Sequence, residues 1–253
     1  MQVKKIVSLI IFSFIVLTAF SQRQKINHLT TFDDKLIHFG FSLGLNTLDF
    51  AVTHFNPISA HPDVPADWQE GSVSGEQFIR TDIAELIPGF TVGIVSSLRL
   101  NRDLDLRFLP GLSFGERQLT YNTEIINNQE SNIVMPYYSI KSTFLDFPLL
   151  IKYKARRINN DRPYLIFGPA LRYDISRSGR EDLVRLKSEG FYAEFGAGWD
   201  HYFTFFRFSV EGKVSLGLNN QLGPPPAGNQ RQYYSKAIRN LRSNVFTLSF
   251  HFE

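Results

Sequence analysis

The sequence predicts an all-β fold: an eight-stranded antiparallel transmembrane β-barrel with up-and-down topology, preceded by a cleaved signal peptide. From Ile37 to Glu253, stretches of about ten residues alternate apolar side chains with small or polar ones. Long and short polar connections separate these stretches in turn. Because lipid offers the backbone no hydrogen-bond partners, a sheet crosses a bilayer only when it closes on itself, apolar outside and polar inside. The alternation and the connection lengths therefore predict a barrel in the bacterial outer membrane.

The first residues have the composition of a secretory signal. Lys4 and Lys5 precede a mostly apolar run from Ile6 to Phe20, and Ala19-Phe20-Ser21 places small residues where signal peptidase reads the chain. A transmembrane helix is the alternative, but the run is shorter than the ~20 residues that span a bilayer. We expect a signal peptide at 1–21, a periplasmic N-terminal segment at 22–36 and the barrel at 37–253.

Composition narrows the classes of partner and site. The chain has no cysteine, which excludes disulfides, thiolate metal ligands and a lipidated N-terminus. Loss of Lys4 and Lys5 with the signal lowers the formal net charge from +3 to about +1, so a nucleic-acid partner is not expected. A soluble β-sandwich of this length is the alternative fold. The apolar face that persists through every strand favours the barrel, with membrane lipid around it.

The first predicted strand shows the pattern most clearly. Ile37, Phe39, Phe41, Leu43 and Leu45 share one parity, whereas the residues between them are small or polar. The later strands place outward, in chain order, Phe90 and Ile94; Leu106 and Phe114; Phe147 and Ile151; Leu165 and Tyr173; Phe191 and Trp199; Val210 and Leu216; Phe246 and Phe252. An even strand count with both termini on one side is the rule for bacterial single-chain barrels.

The connections predict the orientation of the barrel. Those after the first, third, fifth and seventh strands are long (51–88, 122–138, 175–188 and 219–240), and the others are short. Long loops of such barrels face outward and short turns face the periplasm. Tyr153, Tyr164, Trp199 and Tyr202 lie near short turns, where we expect aromatic rings at the membrane interface.

Charged residues on the inward parity predict a lumen network. With tight turns at 101–103 and 203–204, three pairs of opposite charge face each other on neighbouring strands: Arg99 with Asp105, Asp200 with Arg207, and Glu194 with Lys213. Paired carboxylates also serve acid–base catalysis, but a narrow lumen requires buried charges to pair. We therefore expect a structural network, without a catalytic or cofactor-binding role. The histidines stand singly, so no metal site is expected.

Three prolines predict irregular strand pairing in one part of the barrel. Pro110, Pro148 and Pro169 each lie about seven residues from a short turn, on three consecutive strands. Proline cannot donate to a ladder, so the wall should be kinked or frayed at their common height. We expect this kink to be a place where a partner docks.

Basic residues gather in the third and fourth long connections. They are Arg177, Arg180, Arg185, Lys187, Arg231, Lys236, Arg239 and Arg242. Guanidinium groups bind phosphate well, which makes these side chains candidates for contact with lipopolysaccharide. Ordinary solvated loop charge is the alternative interpretation.

Three stretches go beyond a generic barrel pattern: 38–46 (HFGFSLGLN), 88–95 (PGFTVGIV) and 104–115 (LDLRFLPGLSFG). They resemble the PorT family, called SprT in gliding bacteria. The stretches 145–153 (LDFPLLIKY) and 163–169 (PYLIFGP) are similar to the broader Bacteroidota outer-membrane β-barrel superfamily to which PorT belongs. Together the likeness covers nearly all of the mature chain.

The resemblance implies a role in type IX secretion, which carries proteins with a C-terminal signal domain across the outer membrane and supports gliding in some species. It implies no enzymatic activity and transfers no catalytic residues. Since a filled eight-stranded lumen cannot pass folded cargo, we expect an accessory or assembly component with other secretion components as partners. A structural or adhesive barrel acting through its loops is the first alternative, and a lipid-modifying enzyme the second.

Overall fold

The computed structural model describes residues 27–67, 69–70, 73–76, 80–121, 138–176, 184–224 and 235–253. The predicted signal peptide at 1–21 lies outside these ranges, as do Arg177, Arg180 and Arg231. Two short 3₁₀ helices span Phe32–Asp34 and Ile58–Ala60. Within the described ranges, no helix has the length and apolar character needed to cross a membrane.

Strands make up most of the described chain. In order they are β1 (Ile37–His54), β2 (Gln69–Glu70), β3 (Val73–Ser74), β4 (Thr81–Leu86), β5 (Pro88–Arg99), β6 (Leu104–Phe108), β7 (Gly111–Tyr121), β8 (Tyr138–Lys154), β9 (Asp161–Asp174), β10 (Glu189–Tyr202), β11 (Arg207–Gly217) and β12 (Ile238–Phe252). The short strands β2 and β3 pair only with each other within these residues.

The other ten strands form one antiparallel sheet in the described part of the chain. β4 and β5 together form one interrupted strand of the barrel, as do β6 and β7, because the members of each pair lie against the same neighbouring strands. Each strand of the ring, continuous or interrupted, is called a wall here. Successive walls pair in sequence order, and β1 pairs with both β12 and β5. The described strands therefore close a ring of eight walls. The predicted all-β antiparallel barrel is confirmed.

Three short links define one end of the barrel, called here the short-turn end: residues 100–103, 155–160 and 203–206. In the second link, the N–H of Ile158 donates to the carbonyl of Asp161 at 2.9 Å, and Asn159 has a φ of 55°. Asparagine tolerates this left-handed backbone better than most residues. The longer connections leave from the opposite end, called here the long-loop end.

The two faces of the wall follow the predicted parity. Phe39, Phe41 and Leu45 of β1 are each more than half exposed on the outside. Ser42 and Asn46, on the other parity, are buried in the lumen. The apolar side chains therefore face lipid while the polar ones face each other, as a spanning sheet requires.

Two of the four aromatic residues near the short turns depart from expectation. Tyr153 and Trp199 lie on the outside and are both 51% exposed. Tyr164 and Tyr202 are buried inside, so their predicted place at the membrane interface is wrong. Their hydroxyl groups donate to carboxylates, Tyr164 to Glu211 at 2.8 Å and Tyr202 to Asp33 at 2.9 Å. The polar end of a tyrosine is thus satisfied within the lumen.

Several strands are longer than a membrane crossing requires. β1 has 18 residues, β8 has 17 and β12 has 15, whereas a tilted strand spans the bilayer with about 9–11. Because the short turns limit the strands at one end, the extra residues extend the wall at the long-loop end. Thr53, Lys141 and Arg242 are exposed in these extensions, so the barrel carries a polar collar beyond its apolar belt.

Candidate functional site

The lumen is filled by charged side chains, and ion pairs connect the strands of the layer near the short-turn end. Lys152 Nζ lies 2.7 Å from Asp200 Oδ2, and both side chains are fully buried. The hydroxyl of Ser209 donates to Asp200 at 2.6 Å. Arg207 Nη2 lies 2.5 Å from Glu253 Oε2, the carboxylate that follows β12. These contacts join walls formed by β8, β10, β11 and β12.

The middle layer is organised by one arginine. Arg107, on β6, lies 3.1 Å from Glu211 and 3.0 Å from Glu253. Glu211 also accepts a hydrogen bond from the hydroxyl of Tyr164 at 2.8 Å and lies 3.4 Å from His251. Since β6 and β11 are not neighbours in the sheet, the Arg107–Glu211 pair crosses the lumen. It blocks the middle of the barrel.

A third layer lies closer to the long-loop end. Arg172 connects two carboxylates, with its Nε 3.1 Å from Asp146 and its Nη2 2.9 Å from Glu194. Lys213 Nζ lies 2.7 Å from the same Glu194. Ser113 donates a short hydrogen bond to Asp146. Charge-assisted contacts of this kind are stronger than neutral hydrogen bonds, and here they cross between four walls.

Beyond this layer lies a buried arginine of a different kind. Arg117 is 1% exposed and makes no ion pair with any described residue. Its guanidinium donates to Ser243 at 2.6 Å and to Ser142 at 3.3 Å, and lies 4.1 Å from the ring centroid of Phe50. Cation–π contact and hydroxyl groups therefore take the place of a carboxylate.

A small cavity remains in the third layer. Its volume is about 40 Å³, and its lining includes Asp146, Arg172, Glu194, Lys213 and His251. That volume holds about three water molecules. Water there would serve the polar atoms of the layer, and the space is too small for an organic substrate.

The N-terminal segment covers the short-turn end. The Asp33 carboxylate lies 3.2 Å from Arg162 and accepts the hydrogen bond of Tyr202. The ring of Phe32 stacks on His38 with centroids 4.1 Å apart. Arg99 donates to the backbone carbonyl of Asp33 at 2.8 Å. Residues 32–33 thus form the floor of the lumen.

Apolar side chains close the opposite mouth. Phe50, Leu119, Val184, Ile238 and Leu241 form a buried cluster. Val184 comes from the connection before β10, and Leu186 of the same connection forms an isolated bridge with Leu222. The connections therefore fold over the long-loop end, so the described residues cover the lumen at both ends and cross it in the middle.

The predicted facing of Arg99 and Asp105 is confirmed, since the two residues are direct partners in the β5–β6 ladder, but they do not form an ion pair with each other. Asp105 instead binds Lys154 Nζ at 2.6 Å, and Arg99 lies 3.7 Å from Asp34. Lys154, which is inward by parity, supplies a closer cation. The N-terminal segment, which precedes the first strand, supplies the acceptor for Arg99.

The register predicted for β10 and β11 is wrong by two residues. Tyr202 rather than Asp200 pairs with Arg207, because the turn contains four residues, 203–206, instead of two. Asp200 and Glu194 therefore face Ser209 and Ser215. The ion pairs form along the diagonal, with Arg207 3.8 Å from Asp200 and Lys213 2.7 Å from Glu194. Long basic side chains span such diagonals easily.

The three prolines lie beside breaks in the ladders, which together we call the proline notch. Pro110 stands in the gap between β6 and β7, and the N–H of Leu109 donates to the carbonyl of Pro148 at 3.2 Å. The β8–β9 ladder skips residues 149–150, opposite Gly168 and Pro169. The register is unchanged across each break. β9 and β10 remain paired through Pro169, so the notch ends at β9.

The sequence pattern did not predict several residues of the network. Parity could have identified Lys154 and Glu253, since both continue the inward alternation of their strands. Asp33 had no such signal, because it precedes the first strand. Among the described residues, no group of three or more His, Asp or Glu side chains is placed to hold a metal ion. Each carboxylate of the three layers has a cationic partner, and the arrangement ties the walls together.

Comparison with known proteins gives one family match. The model of the outer membrane protein β-barrel domain matches residues 20–223. No curated protein sequence matches the chain.

Similar solved structures include three outer-membrane proteins. The N-terminal β-barrel domain of Pseudomonas aeruginosa OprF is 14% identical, with 83% of this chain and 97% of that chain covered and a TM-score of 0.27. The attachment invasion locus protein Ail of Yersinia pestis is 10% identical, with 86% and 98% covered and a TM-score of 0.33. The outer membrane protease OmpT of Escherichia coli is 10% identical, with 86% and 96% covered and a TM-score of 0.38. These likenesses are too distant to support an inference about function.

The family match extends over well more than half of the chain. The closed antiparallel ring and its apolar outer face have the form that a spanning sheet requires. The chain belongs to the outer membrane protein β-barrel domain family and is a β-barrel protein of the bacterial outer membrane.

Proposed function

We propose that this barrel is an accessory or assembly component of the type IX secretion system and acts through its surfaces. The observation that carries the proposal is the filled lumen. Arg107 and Glu211 meet across its middle at 3.1 Å, and both ends are covered. A cargo protein cannot pass such an interior, so a contribution to export has to come from contacts with other components.

The PorT-like stretches support this assignment by their place in the ring. They lie in β1, β5 and the wall formed by β6 and β7, and these are three consecutive walls because β1 pairs with β5 and β5 with β6 and β7. The proline notch begins in the third of these walls and continues into β8 and β9. The surface formed by the PorT-like stretches therefore lies next to the proline notch.

The proline notch is the proposed docking place for a secretion partner. Proline has no N–H, so the carbonyl opposite each proline loses its usual donor in the ladder. In hydrocarbon an unsatisfied carbonyl is costly. A transmembrane partner with polar side chains that packs on this wall would relieve that cost, and would bind here rather than at a regular wall.

A structural or adhesive role is the second candidate. The observation in its favour is the polar collar, since β1, β8 and β12 continue beyond the length that crosses the membrane. Such a barrel acts through its long-loop end. Neither candidate assigns an enzymatic activity, and the ion-paired carboxylates of the lumen give no support to the lipid-modifying alternative.

Gene deletion in the native host tests the secretion proposal. Cargo with a C-terminal signal domain should accumulate unprocessed in the periplasm and be absent from the medium and the cell surface. The intact gene supplied from a plasmid should restore display, and a periplasmic protein without the signal domain serves as the control for leakage. Normal cargo display in the deletion strain would contradict the proposal. Normal display combined with lost surface adhesion would favour the second candidate.

A further inference from the structure

Three backbone segments meet at the long-loop end of the barrel. The N–H of Lys187 donates to the carbonyl of Gln221 at 2.7 Å, and the N–H of Gln221 donates to the carbonyl of Leu241 at 2.7 Å. The N–H of Gly223 also donates to the carbonyl of Arg185 at 2.7 Å. The connection before β10, the connection after β11 and the start of β12 are therefore held together. Four cations of these segments, called the basic rim, are Arg185, Lys187, Arg239 and Arg242.

The basic rim has a local excess of positive charge. Residues 184–188, 218–224 and 238–243 contain no aspartate or glutamate. Lys187, Arg239 and Arg242 are exposed, and none of the four cations makes an ion pair with a described residue. This contrasts with the arginines of the lumen, such as Arg107 and Arg172, which bind carboxylates.

Among the described residues, the carboxylates nearest the rim form no ion pair with its cations. Arg242 pairs with Ala51 in the β1–β12 ladder, and Asp49, two residues along β1, pairs with Asn244. The Asp49 side chain accepts the N–H of Phe50 at 2.8 Å. Glu189 begins β10 and is exposed. The rim therefore remains open to an anion from outside the protein.

The apolar belt of the barrel ends directly below the rim. On the outward face of β12, Arg242 is followed by Asn244 and then Phe246, which is 51% exposed. On the neighbouring wall, Leu216 and Leu218 are exposed at the end of β11. Guanidinium groups beside the upper edge of a lipid-facing wall stand at the level of lipid headgroups.

We propose that the basic rim binds the phosphate groups of glycolipid headgroups in the outer leaflet of the outer membrane. Arginine forms paired hydrogen bonds with phosphate oxygens, and a lysine adds a point charge. The exposed leucine and phenylalanine side chains below hold the acyl chains of the same molecule. This site is independent of a role in secretion, because it lies on the outer rim away from the proline notch.

The test compares two double variants of the folded full-length barrel in detergent. R239Q/R242Q removes two arginines of the rim. R102Q/R156Q removes two exposed arginines at the short-turn end and is the matched control, with the same change of charge. The probes are phosphorylated lipid A, the same lipid after removal of its phosphates, and inorganic phosphate. Bound lipid is measured by native mass spectrometry, and heat-modifiable gel mobility verifies that each variant is folded.

The wild-type barrel should retain phosphorylated lipid A, with an affinity that falls as salt is added. R239Q/R242Q should weaken binding about tenfold or more, since each charged hydrogen bond contributes roughly that factor. R102Q/R156Q should stay within about twofold of wild type, since it touches no part of the rim. Equal binding by R239Q/R242Q and wild type would overturn the proposal, as would equal binding of the dephosphorylated lipid. Inorganic phosphate that displaces the lipid at equal concentration would overturn the lipid assignment and leave a simple anion site.

Discussion

The buried charged side chains of this barrel differ in the contacts that compensate for their loss of water. Lys152 and Asp200 form a direct pair at 2.7 Å with no solvent contact, so removal of one partner leaves a charge that water cannot reach. Arg117 is equally buried but relies on Ser142, Ser243 and aromatic rings. The stability of a buried cation that has no carboxylate partner depends less on any single neighbouring residue. Removal of the two cations should therefore have different consequences.

The residue-scale prediction contrasts Lys152→Met with Arg117→Met. Methionine keeps most of the side-chain volume in both variants. Lys152→Met should lower the free energy of unfolding by about 3–5 kcal/mol, because buried Asp200 loses its close cation and keeps only the more distant Arg207, at 3.8 Å. Arg117→Met should change it by less than about 1 kcal/mol, because it leaves only hydroxyl groups behind. Urea unfolding of the barrel in lipid vesicles, followed by tryptophan fluorescence, measures both. Equal losses would show that Arg117 has an anionic partner.

The strands β6 to β9 combine irregular ladders with an unchanged register. Gly93 pairs with Gly111 just above Pro110, and Gly168 lies beside Pro169. A Cβ atom at Gly168 would overlap the carbonyl oxygen of Leu149. Glycine here permits the close approach of two backbones where proline has removed a ladder hydrogen bond. The proline notch is therefore specified by the glycine and proline residues of these strands and is not the result of fraying at a sheet edge.

The element-scale prediction uses two glycines of the wall. Gly168→Ala should lower the free energy of unfolding by about 1–3 kcal/mol, because β8 and β9 must separate to admit the methyl group. Gly212→Ala is the matched control, since a Cβ there has no atom within 4 Å. It should be neutral or stabilise slightly by restricting the unfolded chain. Urea unfolding in vesicles compares the two, and a larger loss at Gly212 would contradict this account of the notch.

At the scale of the whole molecule, the lumen is closed at three levels along the barrel axis. Asp33 and Phe32 form the floor, the Arg107–Glu211 pair crosses the middle, and the apolar cluster around Leu241 covers the other mouth. An eight-stranded interior is just wide enough for side chains. The described side chains therefore close the lumen, and the barrel presents its apolar outer face to lipid.

The whole-molecule prediction concerns conductance. The full-length barrel, reconstituted in a planar bilayer, should show no sustained ion current at moderate voltage, because side chains close the lumen at both ends and across its middle. Folded insertion is verified by heat-modifiable mobility, and a known porin in the same bilayer serves as the positive control. Stable, regular openings from the folded protein would show that the lumen contacts separate easily.

The sequence alone determined the class of fold, the two faces of the wall and the side of each strand on which a residue lies. Alternation is a local property, since successive side chains of any strand point to opposite faces. Alternation alone placed Arg99, Asp105, Glu194 and Lys213 on the inward face, without information about the neighbouring strands. The outward placement of Phe39 and Phe246 followed in the same way.

Only the tertiary structure decided which charges meet. Arg107 binds Glu211 across the lumen, on a wall that no ladder joins to β6, and local pairing rules contain no information about such contacts. A turn longer by two residues moved the β10–β11 register while the ion pairs survived along the diagonal. Asp33 reached the floor of the lumen from outside every strand. A long charged side chain has several partners within reach, and closure of the barrel in three dimensions selects among them.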